Sequence, residues 1–224
     1  MKKLKLIQQI CEDGVVAVLR GRSADEVVEM AEQSIAGGIK VIEVTMTTPG
    51  ALGAIERLAA KYSSDAKGKD DSRYAVIGAG TVLDPETARA AILSGSEFVV
   101  GPSFNPDTVK LCNRYRIPVM PGVMTVQEIQ SALDLGVDIC KLFPGNLFSP
   151  GMIKAIKGPL PQANLMPTGG VSLDNLAQWI KAGAVAVGIG SDLTNDAVKT
   201  GDFSLIAKRA AQYMEVYRSA RSGS

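Results

Sequence analysis

The chain has 224 residues, 46% of them hydrophobic, and its 24 basic and 23 acidic residues give a net charge of +1. This length and apolar share fit one large domain with a sizeable core, and the balanced charge gives no sign of the basic clusters that bind nucleic acid or anionic membranes. No apolar stretch reaches the roughly 18 residues that span a bilayer, and three cysteines without a pairing pattern suit a reducing, cytoplasmic environment.

Short apolar runs rich in β-forming residues alternate with helical patterns along the chain. The predicted strands are residues 15–20, 41–46, 75–82, 98–101, 119–123, 139–144, 164–167 and 186–190. The predicted helices between them are residues 24–36, 50–62, 85–94, 106–115, 126–135, 151–156 and 173–182. Helix-capping residues stand before several of these segments, namely Ser23, Asp84, Asn105, Thr125 and Ser172.

Eight strand-helix units in a chain of this length predict a (β/α)₈ barrel, with residues 1–217 as a single domain. A doubly wound open sheet is the nearest alternative, and it would favour a Gly-x-Gly-x-x-Gly turn after the first strand. The turn at residues 20–23 lacks that pattern. We expect the polar segment 63–72 to form a mobile loop at the bottom of the barrel, and residues 218–224 to form a frayed tail.

The absence of histidine limits the possible chemistry. It excludes Ser-His-Asp and Cys-His nucleophile systems, histidine bases and histidine-bound metals. The cysteines are too scattered for a zinc site, so chemistry without a metal or cofactor is the default expectation. A magnesium site built from oxygen ligands stays open.

Lys141 stands out because it interrupts an apolar run that is predicted to be a buried strand. Burial disfavours the charged form of a lysine, and a neutral amine is a nucleophile toward carbonyl carbon. The alternative is a structural lysine, either in an ion pair or extending from a strand end to solvent. This segment alone leaves both interpretations open.

Other polar residues lie in or just after predicted strands, which is where a barrel places its active site. Glu43 interrupts the second strand, Arg20 ends the first, and Thr81 follows the third. Each has a structural explanation: an ion pair for Glu43, solvent exposure for Arg20 and a helix cap for Thr81. Glu43 together with Lys141 is a stronger signal, because the pair supplies a carboxylate base and a nucleophilic amine in one pocket.

Glycines and hydroxyl residues follow the last two strands. Thr168, Gly169 and Gly170 follow the seventh, and Gly190 and Ser191 follow the eighth. In barrels these two loops frequently bind phosphate through backbone N–H groups and a helix N-terminus. The alternative is that the glycines only permit tight turns.

In this order the motifs resemble those of the class I 2-keto-3-deoxy-6-phosphogluconate (KDPG) and 4-hydroxy-2-oxoglutarate (KHG) aldolases, over nearly the whole chain. They are VAVLR (16–20), GGIKVIEVT (37–45), GAGTVL (78–83), PGVMT (121–125), KLFPG (141–145) and PTGGV (167–171). The resemblance implies a Schiff-base lyase that releases pyruvate from a phosphorylated 2-oxo acid, and a homotrimer. It implies that Lys141 forms the Schiff base and that Glu43 is the acid and base. It further implies substrate contacts from Thr81, Pro102 and Phe143, and phosphate contacts from Thr168, Gly169, Gly170, Gly190 and Ser191.

The loop after the second strand departs from the family pattern. Some members have there an arginine that binds the pyruvate carboxylate, whereas this chain has Thr47. Arg20 resembles the arginine of another branch and could bind the carboxylate in its place, because a guanidinium donates to a carboxylate with two parallel hydrogen bonds.

Three other functions are weighed against this one. A 2-keto-3-deoxy-6-phosphogalactonate aldolase would differ only in the stereochemistry of its substrate. A non-catalytic phosphate-binding or scaffold barrel would not need both Lys141 and Glu43. A phosphosugar isomerase commonly needs a histidine or a second carboxylate.

Overall fold

The fold is described from a computed structural model over residues 1–63 and 74–222. Its strands are β1 Val15–Leu19, β2 Val41–Thr45, β3 Val76–Gly80, β4 Phe98–Val100, β5 Val119–Met120, β6 Gly122–Val123, β7 Cys140–Leu142, β8 Leu165–Pro167 and β9 Val187–Ile189. Its helices are α1 Lys2–Asp13, α2 Ala24–Ala36, α3 Ala51–Tyr62, α4 Pro85–Leu93, α5 Pro106–Arg114, α6 Val126–Asp134, α7 Gly151–Lys157, α8 Leu176–Lys181, α9 Ser191–Thr200 and α10 Ser204–Ser222.

The strands run parallel and close into a ring. Six of them pair in the order β5-β4-β3-β2-β1-β9, and three pair in the order β6-β7-β8. A single parallel bridge between Thr168 and Gly188 joins the end of β8 to β9. The sequence predicts residues 119–123 as one strand. Pro121 divides it into β5 and β6, because proline has no N–H to continue the ladder. This closure confirms the predicted (β/α)₈ barrel.

Most of the predicted helix starts are confirmed by capping hydrogen bonds. The side chains of Ser23, Asp84, Asn105 and Thr125 accept backbone N–H groups at the starts of α2, α4, α5 and α6. The prediction was wrong at Ser172, because residues there form a turn and α8 begins later. In that turn the Asn175 side chain accepts the Ser172 N–H.

Helix α1, which the sequence analysis did not predict, forms the floor of the barrel. Its buried side chains Leu6 and Ile10 pack in one cluster with inward-facing strand residues, among them Val41, Phe98 and Met166. The ion pair between Lys3 and Asp138, at 2.9 Å, also holds this helix in place. The N-terminal end of the barrel is therefore filled, and the opposite end is the side where a site can open.

The predicted frayed tail is instead helical as far as Ser222, because the end of α10 packs against the α1–β1 junction. Ala220 is buried, and Arg221 donates to the carbonyl oxygens of Cys11 and Glu12 at 3.0 and 2.9 Å. Gly14 at that junction lies so close to Tyr217 that a Cβ there would overlap the ring. Residues 223–224, like the predicted loop 63–72 apart from Ser63, lie outside the described residues.

None of the helices in the described part of the chain is long and apolar enough to cross a bilayer.

Candidate active site

Lys141 and Glu43 meet inside the barrel. Lys141 is the middle residue of β7 and Glu43 the middle residue of β2, which are four strand positions apart and therefore on opposite walls. Lys141 Nζ lies 3.5 Å from Glu43 Oε1, and the two side chains are 5% and 0% exposed. The structure thus brings together the two residues that the sequence predicts as the chemical pair.

The Glu43 carboxylate has unused hydrogen-bonding capacity. Within residues 1–63 and 74–222, neither of its oxygens has a hydrogen-bond partner, so the 3.5 Å contact with Lys141 is an ion pair rather than a well-formed hydrogen bond. A buried carboxylate whose oxygens have no hydrogen-bond partner is costly and is a marker of function. Both oxygens are therefore available to accept a proton or a hydrogen bond from a bound molecule.

Glycines on the strands beside Glu43 and Lys141 leave space for neighbouring groups inside the barrel. A Cβ placed on Gly80 would overlap Glu43 Oε1, and one on Gly78 would overlap the Phe98 ring. Gly122 pairs with Lys141 in the sheet, and a Cβ there would overlap the carbonyl of Pro102. Sequence analysis missed this role of the strand glycines, although their occurrence at inward positions of β3 and β6 could have indicated it.

Thr81 directly follows Gly80 and has a strained backbone. Its φ is +57°, which is unfavourable for a β-branched residue and persists only where the surrounding structure enforces it. Such outliers cluster at active sites. The half-buried Phe143, on the opposite wall, has its ring centre 5.1 Å from Lys141 Nζ. Of the three predicted substrate contacts, Phe143 thus lies beside Lys141, Thr81 follows the glycine that contacts Glu43, and the Pro102 carbonyl lies against Gly122, the sheet partner of Lys141.

The loops after β1 and β2 are joined through threonine hydroxyls. Gly21 N–H donates to Thr48 Oγ1 at 3.2 Å, and Thr47 donates to Thr45 Oγ1 at 3.2 Å. Thr45 and Thr48 are buried, whereas Thr47 and Arg20 are exposed. The structure therefore brings the two candidate carboxylate-binding residues, Arg20 and Thr47, to adjoining loops at the mouth of the barrel.

The five predicted phosphate-site residues lie at the ends of β8 and β9. Gly169 and Gly170 have φ of +92° and +72°, a conformation that favours glycine and lets the backbone turn toward a ligand. Gly190 precedes α9, and the exposed Ser191 is its first residue. Thr168 differs from the others because it is buried inside the barrel, where Gly188 leaves space for its hydroxyl. Within the described ranges that hydroxyl has no partner.

Cys140, the cysteine next to Lys141, is not a candidate nucleophile. Burial raises the pKa of the Cys140 thiol, next to Lys141 in β7, to about 12. Its side chain belongs to the core between strands and helices rather than to the barrel interior. Since only a thiolate is a good nucleophile, Lys141 is the stronger candidate in this strand.

Comparison with known proteins places the chain in a family. The sequence profile of the KDPG and KHG aldolase family matches residues 6–209. The chain belongs to this family. The 2-dehydro-3-deoxy-phosphogluconate aldolase of Treponema pallidum is 33% identical over 204 residues, which are 90% of this chain and 92% of the relative. The 2-dehydro-3-deoxy-6-phosphogalactonate aldolase of Escherichia coli is 33% identical over 207 residues, which are 92% and 95% of the two chains.

A solved aldolase structure confirms the fold. It is the KDPG aldolase of Legionella pneumophila, with pyruvate captured as a covalent carbinolamine intermediate. This structure is 31% identical, covers 88% of this chain and 92% of its own, and superposes with a TM-score of 0.77. The chain is therefore an aldolase-family barrel.

The contact between Gly80 and Glu43 can be tested by adding one methyl group. We expect Gly80→Ala to lower the free energy of unfolding by about 1–3 kcal/mol, because the new Cβ must displace the Glu43 carboxylate. Gly53→Ala in the exposed face of α3, where a Cβ would meet nothing within 4 Å, is the matched control and should stabilise by up to about 1 kcal/mol. Urea unfolding measures both, and equal stability of Gly80→Ala and wild type would contradict the position of Glu43.

Proposed function

We propose that this chain is a Schiff-base aldolase that cleaves KDPG to pyruvate and glyceraldehyde 3-phosphate, and KHG to pyruvate and glyoxylate. The observation that carries the proposal is the buried Lys141–Glu43 pair, 3.5 Å apart across the barrel. The family membership and the captured pyruvate intermediate of the Legionella relative support it.

The first step is formation of the Schiff base. Glu43 lies close enough to take a proton from the Lys141 ammonium, which releases the neutral amine. The amine attacks the C2 ketone of the substrate and gives a carbinolamine. Glu43 returns its proton to the carbinolamine hydroxyl, which leaves as water, and an iminium forms. The iminium then serves as the electron sink next to the bond that breaks, a role that a Lewis-acidic metal plays in other enzymes.

Cleavage and release follow from the same two residues. Glu43, through a bridging water, takes the proton of the C4 hydroxyl, and the C3–C4 bond breaks to release the aldehyde. The electrons of that bond form an enamine on the pyruvate fragment. Glu43 gives its proton to the enamine carbon, and hydrolysis of the resulting iminium releases pyruvate and restores the Lys141 amine.

The remaining site residues hold the two ends of the substrate. The carboxylate next to the ketone is bound at the mouth by Arg20, with the Thr47 loop beside it. The phosphate is bound by the amides of Gly169 and Gly170 and by Gly190 and Ser191 at the start of α9. The Thr168 hydroxyl, the fifth predicted phosphate contact, is buried without a hydrogen-bond partner in the described ranges and is therefore available to donate to the substrate.

Lys141 is tested by trapping the Schiff base. Borohydride with pyruvate should modify the wild-type chain at Lys141, and Lys141→Met should abolish both trapping and turnover because no amine is left to attack. Lys154→Met, at an exposed lysine of α7, is the control and should behave as wild type. Mass spectrometry of the trapped chain locates the adduct, and an adduct at another lysine would contradict the assignment of Lys141 as the Schiff-base residue.

Glu43 is tested by removing its charge. Glu43→Gln keeps the shape of the side chain, so much of the pyruvate trapping should remain, although the Schiff base forms more slowly because Glu43 no longer takes the Lys141 proton. Turnover should fall by roughly 10²–10⁴-fold, the usual contribution of a general acid and base. Steady-state kinetics and trapping are measured on the same sample. Unchanged turnover would remove Glu43 from the mechanism.

The carboxylate-binding residue is tested by a pair of neighbouring arginines. Arg20→Met should raise the pyruvate concentration needed for half-maximal trapping by about 10–100-fold, since a hydrogen bond to a charged group contributes about 1.5–3 kcal/mol. Arg22→Met is the control, because Arg22 pairs with Glu26 instead. An equal effect of Thr47→Val alone, with Arg20→Met neutral, would move the role to the Thr47 loop.

The preferred sugar acid is decided by assaying three substrates side by side: KDPG, its galactonate isomer and KHG. The similar identity to the Treponema and Escherichia coli relatives gives the galactonate isomer equal standing as a second candidate. Turnover of none of the three, with no pyruvate trapping, would favour a non-catalytic barrel.

We also propose a homotrimer in the cytoplasm. Exposed apolar side chains in the loops after β3, β6 and β7 and at the start of α6 support an association surface near the mouth of the barrel: Leu83, Met124, Val126 and Leu147. Light scattering after size-exclusion chromatography gives the mass, and a monomer would overturn the proposal.

A further inference from the structure

The start of α9 carries an acidic residue at a place where the proposed function needs to bind an anion. Asp192 is the second residue of the helix, directly after Ser191. A helix N-terminus attracts anions through its free N–H groups and its dipole. A carboxylate in the same turn is itself attracted to that end and repels a phosphate dianion. An uncompensated Asp192 would therefore weaken a phosphate site here.

The structure shows how Asp192 is compensated. Arg209 donates from Nε and Nη2 to Asp192 Oδ2 at 3.2 and 2.8 Å. The Tyr213 hydroxyl donates to the same oxygen. Both partners lie one turn apart on α10, so the carboxylate is held on the α10 side of α9. Tyr213 is fully buried, and the Asp192 and Arg209 side chains are 30% and 36% exposed.

The ionisation of the two partners fits this arrangement. The hydrogen bond from Arg209 to Asp192 raises the pKa of the guanidinium, and nearby Asp196 acts in the same direction. Burial, followed by the bond to Asp192, raises the pKa of the Tyr213 hydroxyl. Arg209 is therefore charged and Tyr213 is a neutral donor throughout the working pH range.

We propose that Arg209 and Tyr213 are positioning residues for the phosphate site, which hold the Asp192 carboxylate against α10 and neutralise its charge. The inference rests on the proposed function, because it assumes that the start of α9 faces the substrate phosphate. It goes beyond that function by placing part of the phosphate specificity on a helix that does not touch the substrate.

An ion pair that only fastens α9 to α10 would have the same geometry, so the test must separate the two roles. A structural role affects all substrates alike. A charge-positioning role affects the phosphorylated substrate far more than KHG, which has no phosphate and whose second carboxylate lies next to the bond that breaks. It also predicts that removing the Asp192 charge rescues the loss of Arg209.

The test uses Arg209→Met, Asp192→Asn and the double variant. Arg209→Met should raise the KM for KDPG about tenfold through the freed carboxylate, with kcat and the KM for KHG within about twofold of wild type. The double variant should return the KM for KDPG to within about threefold of wild type, because no charge is left to neutralise. Arg209→Lys should lie between, since it keeps the charge and loses the fork geometry.

Inorganic phosphate provides a readout that does not depend on turnover. Its dissociation constant, measured by calorimetry, should rise about tenfold in Arg209→Met and return to near the wild-type value in the double variant. Equal losses on KDPG and KHG, or no recovery in the double variant, would overturn the inference. If Arg209→Met does not fold, Asp192→Asn decides alone: its KM for KDPG should equal that of wild type or fall, and a rise of more than threefold overturns the inference.

Failure of the proposed function gives a different pattern. In that case the wild type neither traps pyruvate nor turns over any of the three substrates. Normal trapping with a phosphate affinity that is the same in wild type and Arg209→Met would leave the aldolase proposal standing and refute the role of Arg209.

Discussion

Two opposite charges held 3.5 Å apart inside an apolar barrel are the feature on which the rest of the structure depends. Taking each ion out of water costs several kcal/mol, and their attraction offsets this only when the geometry is good. Glu43 and Lys141 extend from opposite walls, so the ring of strands must close at one diameter for them to meet. Loss of either partner would leave an uncompensated buried charge, which ties the stability of the barrel to its chemistry.

The strand glycines follow from this requirement. An interior that holds a glutamate, a lysine and a substrate between opposite walls has little volume left for further side chains. Gly80 and Gly122 stand where a Cβ would overlap Glu43 or the carbonyl of Pro102, and Gly188 leaves room for Thr168. The rest of the barrel interior is filled by residues such as Val41, Phe98 and Met166, which pack with Leu6 and Ile10 of α1.

The sequence predicted the barrel, most helix starts and the chemical pair, because each depends on local or periodic signals. Capping residues such as Asp84 act within one helical turn, and a lysine in an apolar strand can be recognised from the sequence of that strand alone. Helix α1 was missed because its polar composition hides two buried residues, Leu6 and Ile10, whose partners are distant in the sequence. The frayed tail was a wrong prediction for the same reason, since Arg221 binds carbonyls more than 200 residues away. Likewise, the strain at Thr81 and the pairing of Asp192 with α10 arise from tertiary packing, which no short motif encodes.

The floor formed by α1 affects the order in which molecules enter and leave the barrel. A barrel sealed at one end is a blind cavity, in which whatever lies deepest can leave only after whatever lies above it. On the proposed mechanism the pyruvate fragment is covalently attached to Lys141 inside the barrel, and the phosphorylated fragment lies toward the loops of Gly170 and Ser191. The order of product departure is then a matter of topology as much as of chemistry, and in the synthetic direction the aldehyde must arrive second.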